Sequence, residues 1–456
     1  MKYITGACDA ECRKGEDGLK INGVSTDSRS VKAGELFFAV RGEKFDGHDY
    51  LDEVAAKKVA GVVIERKKVP AQLPDCAMLI VEDTRIALGK LAAAYRADYS
   101  LPMVAVGGSN GKTTTKELLA CVLRQKHSTL WSEASFNNDI GVPATLLRLE
   151  KGHQAAVLEA GTNHPGELAP LVRMIQPGLG IITSIGREHL EFFGDIAGVA
   201  QEEGWLAELL PAGGKLFLSG DSEWTMKMVA RTRAQVIRVG FNGKNDWRAR
   251  GVRLDKNGVT FQVASAREEF NGEYRVNLLG RHQALNALYA IGVGAELGLS
   301  RVEIQRGLAE CQPPKMRLQF WEANGVRVLD DAYNANADSM RAALETLCDL
   351  PFQGRRVAVL GEMGELGLQS EAAHEEIGRY AAELKIGQLF TVGKMAGIIA
   401  RAARDAGLTR VIEFDEVEAA VRAVKNFLKP GDVVLVKASR SSRLERIVET
   451  LKSEKN

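Results

Sequence analysis

Short apolar runs alternate with stretches of helical periodicity along almost the whole chain, and this alternation constrains the fold more than any other feature. Runs such as "GELFFAV", "MVAV" and "DVVLVKAS" are typical of buried strands, and several are followed by segments with apolar residues three and four positions apart. Such repetition is typical of mostly parallel sheets covered by helices. We therefore predict an α/β protein. Its 456 residues exceed what one hydrophobic core usually organises.

The pattern divides the chain into three predicted domains, residues 1–85, 86–312 and 313–456. The first has two strand-like runs around a helical stretch, the second opens on a buried strand, and the prolines of "AECQPPKMR" mark a linker before the third. The third has five strand-then-helix units, which predict a doubly wound, Rossmann-like domain. Helical spacing is clearest for the apolar residues Met340, Ala343 and Leu347, and Ala373, Ile377, Tyr380 and Leu384.

Charge and composition argue against several classes of function. Lys and Arg number 60 against 59 Asp and Glu, so no global field would gather nucleic acid. The first residues show no signal-peptide core, and no stretch reaches the roughly 18 apolar residues of a membrane span. Only Cys8 and Cys12 among six cysteines are close together, which disfavours a disulfide or zinc framework. We expect a cytoplasmic protein that neither binds nucleic acid nor inserts into a membrane.

The segment "VAVGGSNGKTTTKEL", residues 104–118, predicts a phosphate-binding loop between a strand and a helix. Its glycines let backbone N–H groups close on phosphate oxygens, its lysine reaches the terminal phosphates, and the next hydroxyl is placed to ligate Mg²⁺. Val106 stands where the strict pattern has its first glycine, so a plain glycine turn is the alternative. The residues expected to bind nucleotide here are Gly108, Ser109, Asn110, Gly111, Lys112, Thr113 and Thr114.

Two residues that follow other predicted strands extend this site. Glu159 ends the apolar run of "HQAAVLEAGT", and His189 follows "IITSIG". Ligands gather beyond the carboxyl ends of strands in open α/β sheets. We therefore predict that Thr113, Glu159 and His189 are metal ligands and that Lys112, Glu159 and His189 are catalytic. Taken singly, His189 has the alternative of an ordinary loop histidine, since histidine is an unusual Mg²⁺ partner.

Several motifs together resemble the Mur ligases, ATP-dependent enzymes that form amide bonds in peptidoglycan assembly. The resemblance covers nearly the whole chain and includes the "GKTT" loop, the Glu159 and His189 positions, and "GRHQALNAL" at 280–288. More discriminating are "STDSRSVKAGELFFAVRGEKFDGHDY", "FNNDIGVPATLL" at 136–147, "DDAYNANADSMRAAL" at 330–344, "LGEMGELG" at 360–367 and "VKASRSSRLERIVE" at 436–449. These segments are similar to the branch of the family that adds a dipeptide.

The resemblance implies a ligase that uses ATP and Mg²⁺ to add D-alanyl-D-alanine to a UDP-N-acetylmuramoyl tripeptide. ATP would convert the terminal carboxylate into an acyl phosphate, and the dipeptide amine would displace phosphate. The resemblance also implies a UDP-binding N-terminal domain, a P-loop ATPase central domain, and a C-terminal domain that binds ATP and the dipeptide. We expect a monomer whose partners are small-molecule substrates.

The resemblance assigns further roles to single residues. Many members carry a carbamylated lysine at a second metal, and Glu203 stands at that place here; the alternative is a solvated helix charge. Asn286 matches an adenine contact, Arg317 an interdomain arginine near the phosphates, and Asp331 a ribose contact. Met316 precedes Arg317 where glycine is common.

The remaining assignments concern the other two substrates. Ser28 and Arg29 are expected at the UDP group, and Lys437 and Arg440 at the dipeptide carboxylate. The other residues expected to bind substrate are Asn137, Asn138, Tyr333, Asn334, Asn336 and Ser339. Asn336 and Asp338 have helix capping as an alternative, and the basic residues near Arg440 could form a solvated turn.

Rival functions predict different chemistry. The nearest are a related ligase that adds a single amino acid and a folylpolyglutamate synthase. A P-loop switch or motor would hydrolyse nucleotide without any amine acceptor. A dinucleotide-dependent dehydrogenase is disfavoured, because the glycines of "GEMGELG" do not follow the G-x-G-x-x-G order.

Overall fold

The structure is a computed structural model that describes residues 1–42, 44–72 and 74–453. In this part of the chain the strands form three sheets, and the predicted α/β class is confirmed. The described residues fall into two compact units. The first contains Met1–Ala105, His127–Thr162 and Gly166–Gly178, and the second contains Val106–Lys126, Asn163–Pro165 and the described residues from Leu179 onward.

The first sheet lies in the N-terminal region. Its strands are β1 (Glu11–Lys14), β2 (Val24–Ser25), β3 (Leu36–Phe38), β4 (Gly61–Glu65) and β5 (Ala77–Val81), in the order β1-β5-β4-β3-β2. The helices are α1 (Lys2–Ala7), α2 (Leu51–Ala56) and α3 (Thr84–Ala97). β2 to β5 are parallel and β1 is antiparallel to β5. Leu36 and Phe38 pack in one apolar cluster and Phe37 in another, so β3 is buried on both faces, as its unbroken apolar run predicts.

The second sheet carries the predicted phosphate-binding loop. Its strands are β6 (Met103–Gly107), β7 (Thr129–Trp131), β8 (Ala155–Glu159), β9 (Leu179–Ile182), β10 (Lys215–Ser219), β11 (Gln235–Gly240), β12 (Trp247–Asp255), β13 (Gly258–Ser265) and β14 (Gly272–Val276). Their order is β14-β13-β12-β11-β10-β9-β6-β8-β7. β9 to β12 are parallel, whereas β12, β13 and β14 form an antiparallel meander. The sheet is therefore mixed. Antiparallel neighbours such as β12, β13 and β14 can be joined by short turns, whereas parallel neighbours need a longer crossover.

The helices of this central region connect its strands and lead to the linker. They are α4 (Lys112–Leu123), α5 (Gly141–Leu146), α6 (Leu168–Ile175), α7 (Leu190–Phe193), α8 (Ile196–Glu208), α9 (Thr225–Arg231), α10 (Gln283–Glu296) and α11 (Arg301–Glu310). Short 3-10 turns occur in the three regions at Gly47–Tyr50, Arg66–Lys68, Glu268–Phe270, Gly367–Gln369 and Arg440–Ser442. Residues 311–318, after α11, form no helix or strand, and the domain boundary placed there stays a prediction.

The third sheet is doubly wound, as predicted. Its strands are β15 (Gln319–Ala323), β16 (Val326–Asp331), β17 (Arg356–Gly361), β18 (Gln388–Val392), β19 (Val411–Phe414) and β20 (Val433–Lys437), in the order β15-β16-β20-β17-β18-β19. The helices are α12 (Ala337–Asp349), α13 (Ser370–Glu383), α14 (Ala396–Asp405), α15 (Val417–Phe427) and α16 (Glu445–Lys452). β16 to β20 are parallel, and β15, which the sequence pattern did not reveal, pairs antiparallel with β16.

Helices cover both faces of this third sheet. α12, α13 and α14 contribute Met340, Leu347 and Ile377 among others to one apolar cluster, whereas α15 and α16 contribute Val424 and Ile447 to the other. The residues chosen for helical spacing are therefore on the buried faces of α12 and α13, with Tyr380 and Leu384 partly buried at the margin. This is the arrangement that a period of 3.6 residues dictates.

A buried carboxyl group in β16 makes the stability of this domain depend on pH. Asp330 is 2% exposed, and burial raises its pKa to about 6. Because the folded-state pKa lies above the unfolded value, the group stabilises the fold at low pH, and stability is lost as pH rises through the folded pKa. We expect Asp330→Asn to raise the free energy of unfolding by about 2 kcal/mol at pH 7.5 and by much less at pH 4.5.

Thermal unfolding at the two pH values checks this expectation. Asp415→Asn, at an exposed position of the same domain, is the control and should change neither transition. An equal shift at both pH values for Asp330→Asn would mean that the charge of Asp330 is not the cause.

Candidate active site

The turn between β6 and α4 has the geometry of a phosphate-binding loop. Gly108 and Gly111 have φ of +105° and +87°, in the region that favours glycine. A Cβ at Gly108 would lie 2.5 Å from Thr183 Oγ1, and one at Gly111 would lie 2.6 Å from Asn286 Oδ1. Only glycine at these positions lets the backbone close so tightly, and the loop leads directly into the N-terminus of α4, where anions are stabilised.

The lysine of the loop is held across it by oxygen atoms. Lys112 Nζ donates to the carbonyl oxygen of Gly108, to that of Ser109 at 3.3 Å, and to Glu188 Oε2 at 3.2 Å. Glu188 is nearly buried, so this ion pair is shielded from solvent. The ammonium thus lies where it can exchange these contacts for phosphate oxygens.

The residues after β9 are bonded to the loop along their length, and we call residues 183–189 the connecting segment. Thr183 N–H donates to the Gly107 carbonyl at 3.0 Å, and Ser109 N–H donates to the Ser184 carbonyl at 2.8 Å. Asn110 N–H donates to Ser184 Oγ at 2.9 Å, and Gly186 N–H donates to Ser109 Oγ at 2.8 Å. The loop and the connecting segment therefore form one hydrogen-bonded element.

Glu203 in α8 lies beneath the loop and is not a solvated helix charge. Its side chain is fully buried, and Glu202 beside it is 4% exposed. Oε2 accepts a hydrogen bond from Gly108 N–H at 2.6 Å, whereas Oε1 is buried with no hydrogen-bond partner among the described residues. Burial raises the pKa of Glu203 to about 8; the nearby Lys112 opposes this and Glu188 adds to it. The carboxyl group is one that a cation would stabilise in its charged form.

His189 is held by a carboxylate that the sequence analysis did not assign. Its Nδ1 pairs with Glu365 Oε2, and this contact lowers the pKa of Glu365. Both residues have positive φ, +47° for His189 and +58° for Glu365. A carboxylate on one ring nitrogen fixes the orientation of a ligating histidine and directs Nε2 to the ligand. Glu365 belongs to the "LGEMGELG" motif, which the sequence shows, but the sequence does not show that Glu365 pairs with His189.

Glu159 and Asn137 meet in the first compact unit. Glu159 Oε1 accepts from Asn137 Nδ2 at 2.9 Å, and its backbone N–H donates to Ser132 Oγ at 3.1 Å. Oε2 is buried and has no hydrogen-bond partner among the described residues. One carboxylate oxygen is therefore fixed by the protein while the other is left for a ligand, as a metal-binding role requires.

Two aspects of the third domain agree with a nucleotide or substrate site. Arg317 lies over the ring of Tyr333, with its guanidinium carbon 4.4 Å from the ring centroid. Asp331 accepts from Leu318 N–H at 3.1 Å and from Lys437 Nζ at 2.6 Å. The two residues flanking Arg317 are left-handed, with φ of +57° at Met316 and +50° at Leu318. Met316 thus adopts the backbone conformation for which glycine is suited, in line with the glycine expected there.

Lys437, which was expected to contact the dipeptide carboxylate, is buried. Its side chain is 3% exposed and is occupied by Asp331 and by the carbonyl oxygen of Asn334 at 3.0 Å. Arg440, by contrast, is 58% exposed, with a 3.3 Å contact to Glu445. The geometry therefore favours Arg440 as the direct partner of an anionic substrate and Lys437 as the group that holds Asp331.

Several expected contact residues are already engaged in local structure. Asn286 is buried; its Oδ1 accepts from Thr115 Oγ1 at 3.3 Å and its Nδ2 donates to Gln283 Oε1 at 2.9 Å, so the amide supports the loop. Asn138 Oδ1 accepts from Gly141 N–H at 2.9 Å at the start of α5. Each amide thus has a structural partner, and the expected ligand contacts of both residues stay predictions.

The capping alternative is confirmed for α12. Asn336 is its N-cap, Ser339 completes a reciprocal capping box, and Asn334 Oδ1 accepts from Ala335 N–H at 2.9 Å. Asp338, in the first turn, instead accepts hydrogen bonds from Arg187. Capping leaves the Asn336 amide group free to donate to a second partner.

The two residues expected at the UDP group lie in the first compact unit. Arg29 is exposed and forms an ion pair with Asp27 at 2.7 Å, and the Ser28 carbonyl accepts from Lys57 Nζ at 2.6 Å. Arg29 is thus accessible, with its guanidinium oriented by a carboxylate.

The residues present fit a Mg²⁺–nucleotide complex. The glycine loop is shaped for phosphate, and beneath it Glu203 has a buried carboxylate oxygen with no hydrogen-bond partner among the described residues, a hard donor of the kind that Mg²⁺ prefers. Within the described ranges, no group of three or more His, Cys, Asp and Glu side chains is arranged to hold a metal. None of the described helices combines the length and apolar character of a membrane span. The described cysteines, Cys8 and Cys12 included, are free thiols.

A doubly wound domain joined to a sheet whose glycine loop presents a lysine and buried carboxylates defines a P-loop nucleotide-binding protein. Three family models match in succession: the Mur ligase family catalytic domain at residues 20–96, the Mur ligase middle domain at 106–294, and the Mur ligase glutamate ligase domain at 316–440. The chain belongs to the Mur ligase family, and the expected three-domain organisation is confirmed.

Individual relatives match over nearly their whole length. The UDP-N-acetylmuramoyl-tripeptide–D-alanyl-D-alanine ligase of Escherichia coli is 36% identical over 438 residues, covering 95% of this chain and 94% of the relative. The crystal structure of MurF from Acinetobacter baumannii has a TM-score of 0.90 at 32% identity, covering 99% of this chain and 98% of that one. MurF from Thermotoga maritima, solved in complex with ADP, has a TM-score of 0.83 at 27% identity and covers 96% and 99%.

Proposed function

We propose that this chain is a cytoplasmic ligase that adds D-alanyl-D-alanine to UDP-N-acetylmuramoyl tripeptide, with conversion of ATP to ADP and phosphate, in peptidoglycan precursor synthesis. The observation that carries the proposal is a phosphate-binding loop in a chain that matches ligases of this name over 94–95% of its length. The rival functions named from the sequence differ in the amine that they use.

The reaction needs activation because a carboxylate is a poor electrophile. We infer that a carboxylate oxygen of the tripeptide attacks the terminal phosphorus of ATP, so that the bond to ADP breaks and an acyl phosphate forms. The dipeptide nitrogen then attacks the acyl carbon, loses a proton, and expels phosphate as the carbon–oxygen bond breaks. Phosphate is a far better leaving group than oxide, which is why ATP is consumed.

The loop residues would hold and neutralise the phosphates. Lys112 and the backbone N–H groups of Gly111 to Thr114, at the N-terminus of α4, would offset the repulsion between ATP and the substrate carboxylate and stabilise the charge that spreads during phosphoryl transfer. Bound Mg²⁺ would supply further positive charge at the same oxygens. Thr113 and Glu159 are proposed ligands of one ion, and His189 and Glu203 of another, with Glu203 replacing a carbamate.

The third domain would supply the remaining contacts. We assign Arg440 to the dipeptide carboxylate, Asp331 to the ribose, and Arg317 to the phosphates with Tyr333 as its support. The exposure of Arg440 and the contact between Arg317 and Tyr333 support these assignments.

Phosphate release by the purified protein tests the proposal. With Mg-ATP and UDP-N-acetylmuramoyl tripeptide, release should require D-alanyl-D-alanine and should be matched by the amide product. Single amino acids in place of the dipeptide should give little release. Release with a single amino acid alone would indicate another ligase of the family, and release that no amine affects would indicate a nucleotide switch.

A further inference from the structure

The connecting segment joins the phosphate loop on one side to the third domain on the other, and Arg187 makes most of the polar contacts on that second side. Arg187 Nε and Nη2 donate to Asp338 Oδ1 at 3.0 and 2.7 Å, and its backbone N–H donates to Asp338 Oδ2 at 2.9 Å. Its Nη1 and Nη2 donate to the two oxygens of Glu376 at 2.5 and 3.2 Å. One guanidinium thus bridges α12 and α13.

The approach is closer than an ordinary surface ion pair requires. A Cβ at Gly186 would lie 2.7 Å from Asp338 Oδ2, so a side chain at this position would push α12 away. Arg187 is 22% exposed, and its charge lowers the pKa of Glu376. Forked hydrogen bonds to two carboxylates, together with a backbone donor, give a defined orientation that a single exposed pair does not.

Two further contacts reinforce the same junction. Asn336 Nδ2 donates to Asn110 Oδ1 in the phosphate loop at 3.0 Å, so the N-cap residue of α12 contacts the loop directly. Leu190 and Val199, from α7 and α8, belong to the same apolar cluster as Met363 in the third domain. The hydrogen bonds of Arg187 and Asn336 are therefore accompanied by an apolar contact. Together these contacts connect the third domain to the connecting segment, which contains His189, and to α8, which contains Glu203.

We propose that Arg187 is a positioning residue that transmits docking of the third domain to the phosphate loop and to His189. His189 is two residues beyond Arg187 and is bonded to Glu365 of the third domain, so this stretch has its orientation set from both ends. When the third domain is docked, Arg187 fixes the segment that holds the loop in shape. The proposal rests on the proposed function, because ligation needs groups from both domains at once.

Kinetics of Arg187→Ala, measured with Mg-ATP, UDP-N-acetylmuramoyl tripeptide and D-alanyl-D-alanine, test this role. We expect kcat/KM for the dipeptide to fall by about 30-fold, while the affinity for ATP alone stays within about 2-fold of wild type. Arg187→Lys should recover only part of the loss, because an ammonium cannot fork to two carboxylates. Arg379→Ala is the matched control, since Arg379 forms an exposed pair with Glu375 on the same helix, and it should behave as wild type.

A double variant tests whether Arg187 acts through its contact with Glu376 or whether its removal disturbs the structure generally. If Arg187 acts through the contact, the losses in kcat/KM of the two single variants should not add. Glu376→Gln alone should lower kcat/KM by a few-fold, and the double variant with Arg187→Ala should be no worse than Arg187→Ala. Additive losses, or an unchanged kcat/KM in folded Arg187→Ala, would overturn the proposal. A loss of ATP affinity equal to the loss of kcat/KM would overturn it too, because that result shows damage to the loop alone.

A readout without catalysis keeps this test distinct from that of the ligase activity. The radius of gyration from small-angle scattering, measured with a non-hydrolysable ATP analogue, should be larger for Arg187→Ala than for wild type and Arg379→Ala. If wild type fails to use the dipeptide while this difference is seen, the proposed function fails and the role of Arg187 stands. An equal radius in all three proteins contradicts the role of Arg187.

Discussion

Replacing Lys112 with methionine is expected to lower kcat/KM for ligation by about 10³-fold while leaving a folded protein. The ammonium spans the loop, where a lysine is placed to reach the terminal phosphates. Its removal also leaves the nearly buried Glu188 without the lysine, which should reduce the free energy of unfolding by about 2 kcal/mol. Ligation rates and thermal unfolding measure the two effects.

A double variant distinguishes lost charge from lost stability. Lys112→Met combined with Glu188→Gln removes both members of the ion pair, so stability should return toward wild type while ligation stays low. Lys151→Met, at an exposed position, is the control for loss of a lysine. Recovery of ligation in the double variant would show that Lys112 acts only by holding the fold.

The second large effect is expected at Glu203. Glu203→Gln should retain the acceptor for Gly108 N–H, remove the charge, and lower ligation by about 10²-fold or more. Its unfolding temperature at pH 8 should match or exceed that of wild type. Because burial raises the folded-state pKa of Glu203, the charged form opposes folding as pH rises through that value, and the amide escapes this cost.

Bicarbonate provides the sharper test of Glu203. If the glutamate replaces a carbamate, wild type needs no added bicarbonate, whereas Glu203→Lys should be inactive in CO₂-free buffer and regain activity as bicarbonate is added. In that variant the lysine amine would add CO₂ and release a proton to give the missing anionic group. A bicarbonate requirement in wild type, or full activity of Glu203→Gln, would sink the idea.

Local patterns were enough to predict most of the fold. The strand runs and the helical spacing of residues such as Met340 and Ile377 depend on neighbours a few positions away, so they can be counted in the sequence. The glycine loop was equally visible, because its backbone demands are local. β15 and the antiparallel meander were harder to foresee, since pairing direction depends on which strands come together in space.

The site was predicted less completely because its contacts are distant along the chain. Arg187 pairs with residues 151 and 189 positions away, and no periodicity connects them. Burial of Glu203 depends on what covers its face of α8, which a charged residue in a helix does not reveal. Asn286 lies under the loop with partners on both atoms of its amide group, and its adenine contact stays a prediction.

The left-handed residues that flank Arg317 tie the entry of the third domain to its proposed ligand contacts. Met316 and Leu318 each adopt a conformation that costs a side-chain-bearing residue roughly 1–2 kcal/mol, and both lie where the chain enters the third domain. Contacts inside that domain hold them there, because Leu318 N–H donates to Asp331 Oδ1 and the Met316 carbonyl accepts from Tyr333 N–H. The bend at the entry of the domain is therefore fixed by Asp331 and Tyr333, two residues proposed to contact ligands, so a substitution at either one would also loosen the connection between the domains.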